Sequence, residues 1–251
     1  MTDIIDSLHI KISNTRELLG KEVAKDVYET IQTLLSERSE INIIFAAAPS
    51  QIDLYSGLLA LDIPWERINA FHMDEYLGIE HSHPQSFRHY LDTNLFNHVP
   101  LKSVNYIRGE AIESGIECSR YADLLDQFPP DIVCMGIGEN THLAFNDPPA
   151  NLEDDQAVKE VKLDEMCRQQ QVNDGCFLTL DLVPKSAMTL TIPTLMSAKY
   201  VFCVVPGIRK ADAVKKTLEE EISGLYPSTI LRTHLNAILY LDKDSSSLIN
   251  I

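Results

Sequence analysis

Four short stretches of the 251-residue chain carry groups that can move protons or hold an anion. "HMDEYLG" puts Asp74 and Glu75 directly after an apolar run. A carboxylate held partly desolvated at a strand end has its pKa raised toward that of a useful general base; the alternative is that Asp74 caps the next turn. "CMGIGENTHLAFNDPP", residues 134–149, sets His142 among Asn140, Asn146 and Asp147. Two carboxamides and a carboxylate close by could orient a titrating imidazole, or His142 is a satisfied loop histidine. Gly136 and Gly138 lack the third glycine of a dinucleotide fingerprint, because Thr141 stands there. They read as positions where the backbone turns or approaches a ligand. "PGIRKADA" predicts a helix from about Ile208 with Arg209 and Lys210 in its first turn. The helix dipole disfavours cations there, so a bound anion such as phosphate would account for them; a solvated face is the other reading. "APSQ" offers Ser50 and backbone N–H groups at a second helix start.

The elements that must position these groups are legible as alternation. Apolar runs at 41–48, 67–73, 131–137, 187–192, 199–205 and 237–242 read as strands. They are continuous rather than alternating, as expected of strands covered on both faces. Helices are expected at about 15–37, 51–61, 86–96, 115–126, 208–221 and 227–234, with "NTRELL" and "SQIDLY" opening on residues able to cap. The fold class is therefore α/β: a doubly wound, mostly parallel, Rossmann-like sheet with helices on both faces, in a single domain over 1–251. In such a sheet ligands sit beyond the carboxyl ends of the strands. That rule selects the loops 48–51, 73–78, 136–142 and 206–210. The stretch 145–182 is the least regular, an excursion of the kind that is usually functional or mobile.

Composition narrows the partners. With 21 basic and 37 acidic residues the formal charge is −16, which repels nucleic acid and anionic membranes. An anionic substrate would need local positive charge. Five scattered cysteines with no C-x-x-C pair imply a reducing compartment and no disulfide framework. The N-terminus does not read as a signal peptide, and no apolar run reaches the roughly 18 residues of a membrane span. A cytoplasmic location follows. His81 and His83 form an H-x-H without further ligands at metal spacing, so no metal site is expected. There is no G-x-S-x-G elbow or Walker loop.

"FHMDEYLGI", "HPQSF", "GIGENTHLAFNDPP", "VPKSAMTLTI" and "GIRKADAV" together resemble the glucosamine-6-phosphate deaminase (isomerase) family, in the same order and at similar spacing over roughly residues 40–242. The resemblance implies conversion of glucosamine 6-phosphate to fructose 6-phosphate and ammonia, without cofactor, and often in a homo-oligomer. It gives Asp74 the transfer of a proton from C2 to C1 and His142 the assistance of ring opening. Asn140 and Asp147 match the two carboxylate positions flanking that histidine. Lys210 matches the phosphate-binding lysine; Ser50 and Gly138 fall in the substrate loops, and Arg168 is the arginine assigned to phosphate. The chain departs from the family at Asn140, where an amide replaces a carboxylate, and at Asp147, one methylene shorter than the usual Glu. Asn140 resembles the galactosamine-6-phosphate branch. "AAAPSQ" replaces a glycine-rich cradle, and Pro49 has no N–H to donate. Two further readings stay open: a hydrolase resembling the sister 6-phosphogluconolactonases, and a sugar-phosphate sensor without turnover.

Overall fold

A computed structural model describes residues 2–163, 165–173 and 175–250. Eleven strands occur among them: β1 (Thr2–Ile5), β2 (Leu8–Ser13), β3 (Ile41–Phe45), β4 (Ile68–His72), β5 (Asp74–Tyr76), β6 (Ser103–Asn105), β7 (Ile132–Met135), β8 (Val158–Lys162), β9 (Ser186–Leu190), β10 (Tyr200–Val205) and β11 (Ala237–Asp242). The helices are α1 (Arg16–Glu37), α2 (Ile52–Leu59), α3 (Phe87–Asn94), α4 (Ser114–Gln127), α5 (Glu165–Asn173), α6 (Ile192–Met196) and α7 (Ala211–Glu219). Eight strands form one sheet in the order β1-β2-β11-β10-β7-β3-β4-β6. All its pairings are parallel except that of the β1–β2 hairpin.

The pleat divides the sheet's side chains between two cores. Ile44 of β3 and Val133 and Met135 of β7 pack with Tyr121 of α4 and Val214 of α7. Ile43 and Phe45 of β3 and Ile132 and Cys134 of β7 pack on the other side with Val23 of α1, Leu54 of α2 and Leu91 of α3. Burial on both faces explains why these strands read as unbroken apolar runs. Thr15 caps α1, its hydroxyl accepting from Leu18 N–H at 3.2 Å, whereas Ser50 and Gln51 make no such bond to α2. Cys118, Cys134, Cys176 and Cys203 are free thiols.

Several boundaries differ from expectation. The run at 187–192 is β9, but it lies in a separate antiparallel sheet ordered β5-β9-β8. The stretch 145–182 contains β8 and α5; only Val158 of β8 is buried, so "VKEVK" offers no apolar run. Residues 227–233 form a 3₁₀ helix (Pro227–Thr233) rather than an α-helix. Helix α7 starts at Ala211, with Arg209 and Lys210 in the preceding 3₁₀ turn, Ile208–Lys210. No described helix is long and apolar enough to cross a membrane.

Candidate active site

A cavity of about 660 Å³ opens at the carboxyl ends of β3, β4, β7 and β10, and all four loops selected from the sequence contribute to its walls. A second groove of about 410 Å³, between Gly78, Ile112 and Glu160, receives none of the expected site residues.

Asp74 is the first residue beyond the β4–Met73 turn and pairs with Thr189 of β9. It lines the cavity yet is only 8% exposed. Burial raises its pKa well above the usual carboxylate range, and the neighbouring Glu75 charge raises it further. The two carboxylates that follow β4 therefore separate into different roles. Glu75 is fully buried and accepts from Tyr76 N–H at 2.9 Å, Ser86 Oγ at 2.7 Å, Phe87 N–H at 3.1 Å, and Arg88 N–H and Nε at 3.2 and 2.9 Å. It ties β5 to the N-terminus of α3, whose Ser86 and Phe87 line the cavity. His72, on the other side of Met73, is also structural. Its Nε2 accepts from Ile107 N–H at 2.8 Å, and burial lowers its pKa to about 3, keeping it neutral.

The histidine loop leaves β7 through Gly136 and Gly138. A Cβ at Gly136 would come within 2.9 Å of Ser50 Oγ, and one at Gly138 would overlap the His142 imidazole. The glycines are thus there for close approach. Gly138 N–H is already used, donating to His142 C=O at 3.0 Å, so the glycine serves the site by lacking a side chain. Thr141 and Ala144 adopt left-handed backbone, φ 73° and 51°, which folds the loop tightly back. Asn146 secures it to β9, its Nδ2 donating to Leu143 C=O at 2.9 Å and Leu190 C=O at 2.8 Å.

Within that loop Asn140 and Asp147 act as a linked pair. Asn140 Oδ1 accepts from His142 N–H at 3.1 Å, and its Nδ2 donates to Asp147 Oδ1 at 2.9 Å. The same Asp147 oxygen stands 3.0 Å from His142 Nδ1, close enough for charge contact although not aligned as a hydrogen bond. The amide at Asn140 therefore holds Asp147 beside the ring, and Asp147 supplies the carboxylate charge that Asn140 lacks. Gly138→Ala is expected to push the imidazole off Asp147, at an overpacking cost of about 1–3 kcal/mol. Thermal unfolding would show that loss, and activity should fall by more than the stability change explains.

At the surfaces carrying the residues expected to hold an anion, the structure departs in part from the sequence. Ser50 lies in the 3₁₀ turn Pro49–Gln51 and lines the cavity with Lys210 and Arg209. Gln51 Nε2 pins that turn to Met135 C=O at 3.0 Å, and Tyr90 Oη donates to Ala48 C=O at 2.9 Å. Arg209 Nε is 3.6 Å from Glu139 Oε1. Arg168 is not in the walls. Its guanidinium donates to Leu180 C=O at 2.5 Å and Val183 C=O at 3.0 Å, bracing the turn after α5, so it does not fill the arginine's place. Arg16 does line the cavity and escaped the sequence reading. It is the first residue of α1, where the dipole rule applied to Arg209 would have singled it out equally. Among the described residues no group of three or more His, Cys, Asp or Glu side chains is placed to hold a metal ion.

Residues 14–239 match the family model of glucosamine-6-phosphate isomerases and 6-phosphogluconolactonases. A glucosamine-6-phosphate deaminase of Colwellia psychrerythraea is 32% identical over 241 residues, covering 91% of this chain and 87% of that protein. A solved monomeric glucosamine-6-phosphate deaminase superposes with a TM-score of 0.88 at 29% identity, covering 96% of this chain and 99% of the other. A 6-phosphogluconolactonase from Thermotoga maritima, with a TM-score of 0.77 at 19% identity over 93% of this chain and 99% of its own, shares the fold.

Proposed function

The chain belongs to the family of glucosamine-6-phosphate isomerases and 6-phosphogluconolactonases, and from that membership we propose that it is a deaminating aldose–ketose isomerase acting on glucosamine 6-phosphate. The observation that carries the reading is the meeting in one cavity of a buried Asp74 carboxyl and of His142, backed by Asp147, with Ser50, Arg16, Arg209 and Lys210. The cations give local positive charge in a protein of formal charge −16, as a phosphorylated substrate requires.

With Nδ1 beside Asp147, Nε2 of His142 is left to move a proton between the ring oxygen and the anomeric hydroxyl, opening the sugar to its aldehyde. Asp74 then takes the C2 proton. The C–H electron pair forms the C1–C2 double bond of an enolamine as the carbonyl oxygen gains a proton. Asp74 returns its proton to C1, leaving a protonated imine at C2, and water replaces its nitrogen to give fructose 6-phosphate and ammonia with release of a proton. A carboxyl of raised pKa suits both halves of this shuttle, because it is a stronger base than an ordinary carboxylate and still gives the proton back. Every group invoked comes from one chain, so the chemistry does not require the homo-oligomer that the resemblance suggests. Free thiols and the acidic surface fit a cytoplasmic enzyme.

Asn140 favours a second reading, galactosamine 6-phosphate as the substrate. Ammonia release from purified protein should be followed with both epimers, alongside hydrolysis of 6-phosphogluconolactone. Turnover of an amino sugar is expected. Folded protein that releases ammonia from neither, or hydrolyses only the lactone, would overturn the deaminase reading.

A further inference from the structure

We propose that Arg16, at the start of α1, supplies the guanidinium that holds the substrate phosphate together with Ser50 and Lys210. This inference rests on the site being one for a sugar phosphate.

The strand-end loop after β3 is a poor phosphate cradle on its own. Pro49 contributes no N–H, and "AAAPSQ" carries no glycine to let the backbone close on the anion. A side-chain donor must compensate, and Arg16 is placed to do so. Its Nη2 donates to Pro49 C=O at 2.5 Å, one residue from Ser50, and its side chain enters the cavity wall that also holds Ser50 and Lys210.

Two glycines bring it there. A Cβ at Gly20 would overlap Asp53 of α2, and one at Gly57 would meet Ala24 Cβ of α1, so α1 and α2 cross at a distance that only glycine permits. That crossing carries the first turn of α1, capped by Thr15, to the mouth of the cavity.

Arg16 is meanwhile held by Asp53, with Nε 2.5 Å from Oδ2. Their side chains are 46% and 28% exposed, and a pair so open to solvent is weak. Asp53 thus occupies the guanidinium only weakly, and a phosphate dianion can compete with it for the donors. Arginine's planar fork matches phosphate geometry in a way a single ammonium does not.

Binding of inorganic phosphate and of fructose 6-phosphate to the intact protein, measured by calorimetry, tests the assignment independently of turnover. Arg16→Ala should weaken both by roughly tenfold to a hundredfold, and Arg16→Lys should recover part of the loss. In the turnover assay the same variants should raise KM more than they lower kcat. Asp53→Asn separates binding from scaffolding. It removes the competing carboxylate but leaves the Pro49 contact, so phosphate should bind several-fold more tightly. A purely structural Arg16 would make Asp53→Asn weaken phosphate binding or leave it unchanged, and either result overturns the proposal. So does wild-type affinity in Arg16→Ala, or a wild-type protein that binds neither anion. If phosphate binding behaves as expected while no amino sugar is turned over, the deaminase reading fails and the assignment of Arg16 stands.

Discussion

Replacing Asp74 by Asn is expected to lower ammonia release by about 10²–10⁴-fold, the range for loss of a positioned general base, while calorimetry shows fructose 6-phosphate still bound. The amide keeps the shape of the carboxyl but cannot take the C2 proton. The pH profile should change with it. In the wild type kcat/KM should fall as pH drops through the raised pKa of Asp74, because only the ionised carboxylate accepts the proton; the residual activity of Asp74→Asn should lack that limb.

The same substitution should stabilise the unliganded protein, in a defined pH window. Burial and Glu75 raise the folded-state pKa of Asp74 above its ordinary value of 3.8. Below that value the carboxyl is neutral in both folded and unfolded chains and costs nothing. As pH rises toward the folded pKa, the unfolded chain ionises first, and stability is lost progressively until the folded group ionises too. Asp74→Asn escapes this loss. Its melting temperature should match wild type at acid pH and exceed it at neutral or alkaline pH. Equal melting at every pH would mean that the native site does not hold its carboxyl at a raised pKa. An enzyme that retains such a carboxyl is giving up stability for a proton acceptor.

Asp74 and His142 were legible because residue type and position pointed the same way. Each follows an apolar strand, and an open parallel sheet places its ligands where such strands end. Glu75 carried the same sequence signal as Asp74. Only the fold distinguishes them, because its partners Ser86 and Arg88 are brought to it by the return of the chain into α3. Arg168 was assigned through the family resemblance alone, and matching a position says nothing of where a long side chain ends. Arg16 carried the same first-turn signal as Arg209, but its place in the cavity depends on the α1–α2 crossing, a contact written in Gly20 and Gly57. The small sheet was hidden for a different reason. Strand β5 is three residues long and β8 alternates with exposed polar groups, so neither gives the continuous apolar signal that marked the main sheet.

The largest effect on folding is expected at the other carboxylate. Arg88→Met keeps much of the side chain's volume but removes the guanidinium, which donates from Nε to Glu75 at 2.9 Å, from Nη1 to Glu110 at 2.6 Å and from Nη2 to Ile79 C=O at 3.0 Å. Arg88 is 1% exposed and Glu75 fully buried, so the substitution leaves the Glu75 carboxyl without its counterion in the interior. Breaking a buried pair in this way costs about 3–5 kcal/mol, a large share of the roughly 5–15 kcal/mol that holds a domain folded. Denaturant unfolding should show the midpoint falling accordingly. The double variant Glu75→Gln/Arg88→Met should be more stable than Arg88→Met alone, because it removes the stranded carboxyl, although Ser86 and Phe87 lose their carboxylate acceptor. Recovery of stability without recovery of ammonia release would mean that the pair is there to place α3 and Asp74 around the substrate. Recovery of both would mean that packing alone sets this wall of the cavity.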